Sequence, residues 1–201
     1  MKSGFNNIFM EDVFHHPRVA ELAALLASKK HDVPVKRLDP EPFSLLSDVE
    51  RESTVKVASD ICGVSVELIE DMYPCTALQE GVIALSAKKP GTYTGQLVFK
   101  LPDSIDLDRF KAAWQATADA NPILRTRIIQ TESWSMFPTV LRMNIAWDEG
   151  KCLEEYISDR SVRRTMGIGS PLARFAIMSS SSRGSRTLHF VLTMHYALGD
   201  G

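Results

Sequence analysis

Close to its end the chain carries an apolar run, Leu188-His189-Phe190-Val191-Leu192-Thr193. A run of this length suits a strand buried in a sheet. It leads straight into Met194-His195-Tyr196-Ala197-Leu198-Gly199-Asp200-Gly201. A histidine therefore stands at the end of a buried strand, with Asp-Gly a few residues on. Whatever the chain folds into must supply neighbouring strands for this run and a cover for its faces.

The sequence before it changes character once. Between Ile8 and Lys30, Val19, Leu22, Leu25 and Leu26 repeat at three- and four-residue steps, the stripe of an amphipathic helix. Pro17 suits its first turn and Lys29-Lys30 its last. Such a helix cannot bury its stripe alone. Three prolines in Val33–Pro42 then favour a semi-extended linker. Ser47 or Asp48 is placed to cap a helix to about Ile61, with Gly63 as its stop. A second short helix is expected over Ser65–Met72.

From Tyr73 onward the pattern mixes helix and strand. Gln79–Ala87 reads as helix, and Pro90-Gly91 as a turn. Thr92–Leu101 alternates, with Tyr93, Leu97, Phe99 and Leu101 on one face. Asp106 opens a helix with the stripe Leu107, Phe110, Trp114 and Ala118, closed by Asn121-Pro122. Strands are expected over Leu124–Gln130, Thr139–Trp147 and Leu172–Met178, and a helix over Leu153–Arg163. Ser179–Ser185 reads as a polar surface turn. No internal repeat is visible.

Composition narrows the function classes. A net charge of -2 gives no electrostatic case for nucleic acid or an anionic membrane. No segment holds the roughly 20 apolar residues that a membrane span needs, and the N-terminus lacks the apolar core of a signal peptide. Cys62, Cys75 and Cys152 have no metal-like spacing and read as free thiols in a reducing compartment. A cytoplasmic protein without a bound metal is expected.

Four segments in order carry a family resemblance. They are Tyr73-Pro74-Cys75-Thr76-Ala77-Leu78-Gln79-Glu80-Gly81, Asn121-Pro122-Ile123-Leu124-Arg125-Thr126-Arg127, Pro171-Leu172-Ala173-Arg174-Phe175, and the closing His195–Gly201. Together they resemble the condensation domain of nonribosomal peptide synthetases, the fungal type in particular. Residues 1–30 are similar to the last helix of a carrier domain, and Ile8–Pro17 to the turn before it. The resemblance implies a carrier remnant over 1–30, a Pro-rich linker over 31–47 and the first half of a condensation domain over 48–201. The implied fold is α+β, an α/β sandwich. It is a single chloramphenicol acetyltransferase-like lobe, a mixed sheet with helices packed on it, preceded by a helical segment.

The resemblance also implies a chemistry. Such domains join two carrier-bound acyl groups: the amine of one attacks the thioester of the other. The family motif has two histidines, three variable residues, then Asp-Gly. His195 takes the first histidine's place, Asp200 the aspartate's and Gly201 the glycine's, while Tyr196 stands where the second, proton-handling histidine belongs. An imidazole with a pKa of about 6.5 takes a proton at neutral pH, whereas a phenol with a pKa of about 10 is a poor base. Tyr196 could still orient an amine by hydrogen bonding. His195 and Tyr196, as strand neighbours, should point to opposite faces, which gives His195 a structural role. Asp200 would pair with Arg125 or Arg127. Gln79, with Thr76, would line the substrate channel or cap its helix. His15, His16 and His189 have no liganding company. The implied cofactor is indirect: nothing bound directly, with substrates held on the phosphopantetheine of partner carrier domains.

The chain is expected to contain only the first of two lobes, so that its partners include the missing C-terminal lobe as well as carrier domains. Two functions remain open at this point. One is part of an amide-forming domain; the other is a catalytically inactive remnant or carrier-binding module. An unrelated acyltransferase with the same His-to-Asp-Gly spacing fails at the same place, Tyr196.

Overall fold

The computed structural model describes residues 40–182 and 185–200, plus 15, 16, 18, 20, 21, 24 and 25; at 181, 182, 185, 186 and 200 it describes the backbone alone. The chain divides into two compact units, 1–40 and 41–201. In the first, Ala20, Glu21, Ala24 and Leu25 are helical and Arg18 pairs with Glu21 at 3.6 Å. The other residues of the expected carrier remnant and most of the linker lie outside the described residues.

The second unit contains two sheets. Helix α1 (Asp48–Cys62) starts after Ser47, whose hydroxyl donates to Glu50 at 2.6 Å. It stops at Gly63, which adopts φ 64° so that its own N–H and that of Val64 reach back to Asp60 and Ser59 carbonyls. Val55, Ala58 and Cys62 point from α1 onto Ile69, Met72, Ile129 and Leu141. Those residues belong to a three-stranded antiparallel sheet in the order β1 (Ile69–Met72), β4 (Met136–Leu141), β3 (Thr126–Gln130).

The helix expected over Ser65–Met72 is not there. A 3-10 turn covers Val66–Leu68 and strand β1 follows. A bulge between Ile69 and Asp71 explains the misreading, because it puts Ile69 and Met72 on the same side. A spacing of three residues, normally helical, here comes from an irregular strand.

The second sheet runs β2 (Thr94–Lys100), β7 (Ser185–His195), β6 (Ala173–Ser182), β5 (Trp147–Gly150). Its first three strands are antiparallel, and β5 joins β6 in parallel. Helix α2 (Ala77–Lys88) precedes β2, and helix α3 (Leu107–Ala120) follows it. Asp106 caps α3, its carboxylate accepting from the Arg109 N–H at 3.0 Å. The predicted stripe of α3 lies on this sheet, with Leu107, Phe110 and Trp114 against Phe175, Ile177, Phe190 and Leu192.

Three further expectations need correction. Thr139–Trp147 is not one strand: β4 ends at Leu141 and β5, in the other sheet, begins at Trp147. β4 also starts before Pro138, a residue that reads as a strand terminator; its carbonyl still accepts from Tyr73 N–H just past the end of β1. The helix over Leu153–Arg163 is two helices, α4 (Leu153–Ser158) and α5 (Ser161–Arg164). Asp159 separates them by accepting from the Ser161 N–H at 2.7 Å and its hydroxyl at 2.6 Å. The serine run is not a surface turn either. β6 runs through Ser182 because β7 supplies ladder partners that far, and Ser179 is buried.

Phe190 sits at the centre of an aromatic cluster. Its ring centroid lies 5.0 Å from Trp114, 5.2 Å from Phe110, 5.9 Å from Trp147 and 6.4 Å from Phe175. Each such pair adds about 1 kcal/mol beyond area burial. Phe190→Ala should therefore cost about 3–5 kcal/mol, read as a lowered urea midpoint of unfolding.

Candidate active-site turn

β7 is hydrogen-bonded to β6 over most of its length and also to β2 over His189–His195. The register continues past its end: His195 N–H donates to the Leu172 carbonyl at 2.9 Å and Tyr196 N–H to the Tyr93 carbonyl at 2.8 Å. The chain then turns into a 3-10 segment, Tyr196–Asp200. Ala197 is buried with Ile83 and Leu172, which fastens the turn to α2.

Gln79 holds the turn from the other side. Its N–H donates to Thr76 Oγ1 at 3.2 Å and its Oε1 accepts from the Thr76 N–H at 3.0 Å, a complete capping box at the start of α2. Its Nε2 then donates to the Ala197 carbonyl at 3.1 Å. Capping and support of the motif turn are thus one side chain's work. Gln79 is 2% exposed, so it is enclosed by these contacts.

His195 and Tyr196 face opposite ways, 1% and 62% exposed. The tautomer of His195 follows from its neighbours. Nδ1 accepts the Ala197 N–H at 3.2 Å, so in the neutral ring the proton is on Nε2. Nε2 lies 2.8 Å from Ser86 Oγ, and that hydroxyl donates to the Thr92 carbonyl at 3.2 Å. The donors run in one direction: Nε2–H to Ser86, Ser86 to Thr92. Burial pushes the imidazole pKa below its ordinary value. At neutral pH His195 has no free lone pair, because one nitrogen carries the proton and the other serves the turn. It can take a second proton only by releasing the Ala197 N–H.

Tyr196 lies over Gly95. A Cβ at position 95 would stand 3.4 Å from Tyr196 Cε1 and 3.7 Å from its hydroxyl. The ring therefore rests against bare backbone of β2. The residue is exposed, with the phenol end of its ring over that backbone. The backbone of Asp200 closes the 3-10 segment; its carboxylate and the whole of Gly201 lie outside the described residues.

The two arginines stand elsewhere. Arg125 donates to Glu70 at 2.6 Å and to the carbonyls of Leu141 at 2.6 Å and Ala118 at 2.9 Å. Arg142 reaches the other oxygen of Glu70 at 3.0 Å. Burial opposes ionisation of Glu70, but the hydrogen bonds from Arg125 and Arg142 outweigh it and hold the carboxyl below its ordinary pKa. Arg127 donates to the carbonyls of Cys62 at 2.8 Å and Gly169 at 3.2 Å. Both arginines line a cavity of about 170 Å3 shared with Asp148, Arg174 and Phe175. Gln79, His195 and Tyr196 do not line it. The structure thus gathers Gln79, His195 and Tyr196 at one turn and the arginines at another place.

Sequence reasoning missed Ser86 and Gly95. A signal for Ser86 was present: Gln79, Ile83 and Ser86 follow at four- and three-residue steps on the buried face of α2. A serine on such a face marks a buried acceptor that needs a donor. Cys75 is no candidate nucleophile, since burial, with a smaller push from Glu80, raises its thiol to about 12.

Comparison with known proteins agrees with this architecture. No family model matches the chain. It is 43% identical over 192 residues to nonribosomal peptide synthetase 1 of Ajellomyces capsulatus, covering 94% of this chain. It is 44% identical over 198 residues to the synthetase gloA of Glarea lozoyensis, again covering 94% of this chain. Over nearly its whole length the chain is therefore similar to a segment of fungal nonribosomal peptide synthetases. It spans 10% and 3% of the length of those two relatives. The fold agrees with solved structures of the chloramphenicol acetyltransferase-like class. A mutant starter condensation domain of the rhizomide synthetase RzmA matches with a TM-score of 0.53 at 12% identity, covering 63% of this chain and 32% of that one. The protein CT matches with a TM-score of 0.57 at 21% identity, covering 78% and 36%. Among the described residues no helix is long and apolar enough to cross a membrane.

Two outcomes follow. His195 is neutral when folded, whereas the unfolded chain binds a proton there below about pH 6.5. Stability should fall as pH drops from about 7 toward the depressed folded value. Urea titrations across that range should show a larger loss for the wild type than for His195→Gln. Arg125→Met leaves Glu70 and a buried carbonyl short of donors and should cost about 2 kcal/mol or more, read by the same titration at pH 7.

Proposed function

We propose that this chain works as the N-terminal half of an amide-forming condensation domain within a longer synthetase. Residues 48–201 supply that half, 31–47 a linker and 1–30 the last helix of a carrier domain. The substrates are aminoacyl or peptidyl thioesters held on the phosphopantetheine arms of carrier domains, and no cofactor binds this chain directly. The setting is cytoplasmic.

In the reaction, the acceptor's amine nitrogen attacks the donor's thioester carbonyl. A C–N bond forms, the C–S bond breaks, the arm leaves as its thiol and the amine gives up one proton. Tyr196 stands where that amine is expected. The observation that supports the reading is the exposed position of Tyr196 at the end of β7, opposite the buried His195. The Tyr196 hydroxyl accepts from or donates to the amine and orients it, and it is a weak base for the proton. His195 does not replace it, because both of its nitrogens are engaged in holding the turn. Its work is to fix the backbone that presents residue 196. Asp200 takes the architectural role that the family motif gives it and the Gly201 amide faces the developing oxyanion, whereas Arg125 and Arg127 serve Glu70 and backbone carbonyls away from the turn.

The test is made in the complete domain with both charged carriers present. Tyr196→His restores an imidazole at the motif position and should raise single-turnover amide formation about 100-fold. An unchanged rate removes position 196 from the chemistry. The second reading, a catalytically silent lobe that only binds carriers, is favoured by the same phenol. It predicts carrier binding with no amide formed by the wild type, and recovery of product in Tyr196→His.

A further inference from the structure

The loop after α2 and the short helix α5 lie side by side and bound an open groove of about 640 Å3. Five cationic side chains line it: Lys88, Lys89, Arg160, Arg163 and Arg164. Gly91 adopts φ 87°, a backbone conformation that favours glycine, and packs beside Arg164. Among the described residues none of the five takes part in an ion pair. The neighbouring carboxylate, Asp159, is turned onto the Ser161 N–H and hydroxyl.

Folding alone does not account for this concentration. The chain as a whole carries a net charge of -2, yet this surface is uniformly positive. Lys88 complements the C-terminal end of α2, and Arg163 and Arg164 that of α5, but Lys89 and Arg160 lie outside both helices and bring the cations in the groove to five. Like charges at this spacing repel, and without a partner they cost stability.

The groove continues into a second cavity of about 220 Å3 that shares Pro90 and Arg164 with it. Ile83, Ala87, Met166 and Ile168 make that end apolar. A basic groove with an apolar recess narrows the choice of occupant. Nucleic acid would be expected to find aromatic side chains to stack on, and neither cavity has one. The apolar part is concave, which suits an inserted side chain better than entry into a bilayer.

We propose that this groove docks an acidic amphipathic helix of a partner protein, with carboxylates on the five cations and an apolar side chain in the Ile83–Ile168 recess. The position matters for the motif. The same loop supplies the Thr92 carbonyl to Ser86 and leads to the Tyr93 carbonyl that receives the Tyr196 N–H. A partner seated here lies on the segment that supports the motif turn.

The test uses the full chain and a fluorescein-labelled helical peptide of about 20 residues, built of Glu, Ala and a single Leu stripe, read by anisotropy. Lys89→Glu combined with Arg164→Glu should weaken binding about tenfold or more. Lys56→Glu, an exposed charge change on α1, should alter it less than about twofold. All three positions are exposed, and matching circular dichroism checks that each variant is folded. Equal affinities for wild type and double variant overturn the proposal, as does an equal loss in Lys56→Glu or no binding by the wild type. Tighter binding of a single-stranded oligonucleotide or a phosphatidylserine vesicle, lost in the same double variant, overturns it by assigning the groove to that class. Binding is read without turnover, so failure here leaves the amide-forming reading untouched, and failure of that reading leaves this one.

Discussion

The central strand β7 is the constraint on which the site rests. It is paired on both sides and buried through Phe190, Val191 and Leu192, so its end has little freedom. Two further backbone bonds carry that rigidity one step beyond the strand, to residues 195 and 196. A group that leaves a strand in this way keeps a fixed direction, which a reactive position needs.

The two residues at the strand's end divide the labour. His195 faces inward, where burial keeps it neutral and its two nitrogens link the turn to α2. Tyr196 faces outward over the bare backbone at Gly95. Gln79 completes the arrangement by joining the N-terminal cap of α2 to the turn through one amide. The support is polar, directional and enclosed, so its loss leaves buried groups unsatisfied rather than exchanging one contact for another.

Much of the fold was legible because local signals and tertiary demands agreed. The stripe of α3 and its Asp106 cap and the stop of α1 at Gly63 each came from a period or a cap that the structure uses unchanged; β2 is a strand where its alternation placed one, but Leu97, Val98 and Phe99 are all exposed, so the alternation does not sort buried from exposed residues. Where reading failed, pairing had overruled the local signal. The bulge in β1 imitated helical spacing. The crossing from β4 to β5 passed through residues with no turn signature of their own. The serines of β6 became strand because β7 was beside them.

By itself the sequence determined helices α1, α2 and α3, the strand that ends at His195, and the opposite orientation of His195 and Tyr196, since strand geometry alternates side chains whatever surrounds it. Only the tertiary structure decided which tautomer His195 holds, that Gln79 and Ser86 are its supports, and that Arg125 and Arg127 bond Glu70 and backbone carbonyls away from the turn. The reason is distance along the chain. Ser86 meets His195 across 109 residues, and Gln79 meets Ala197 across 118. No local pattern specifies a partner that far away; packing α2 against the end of β7 does.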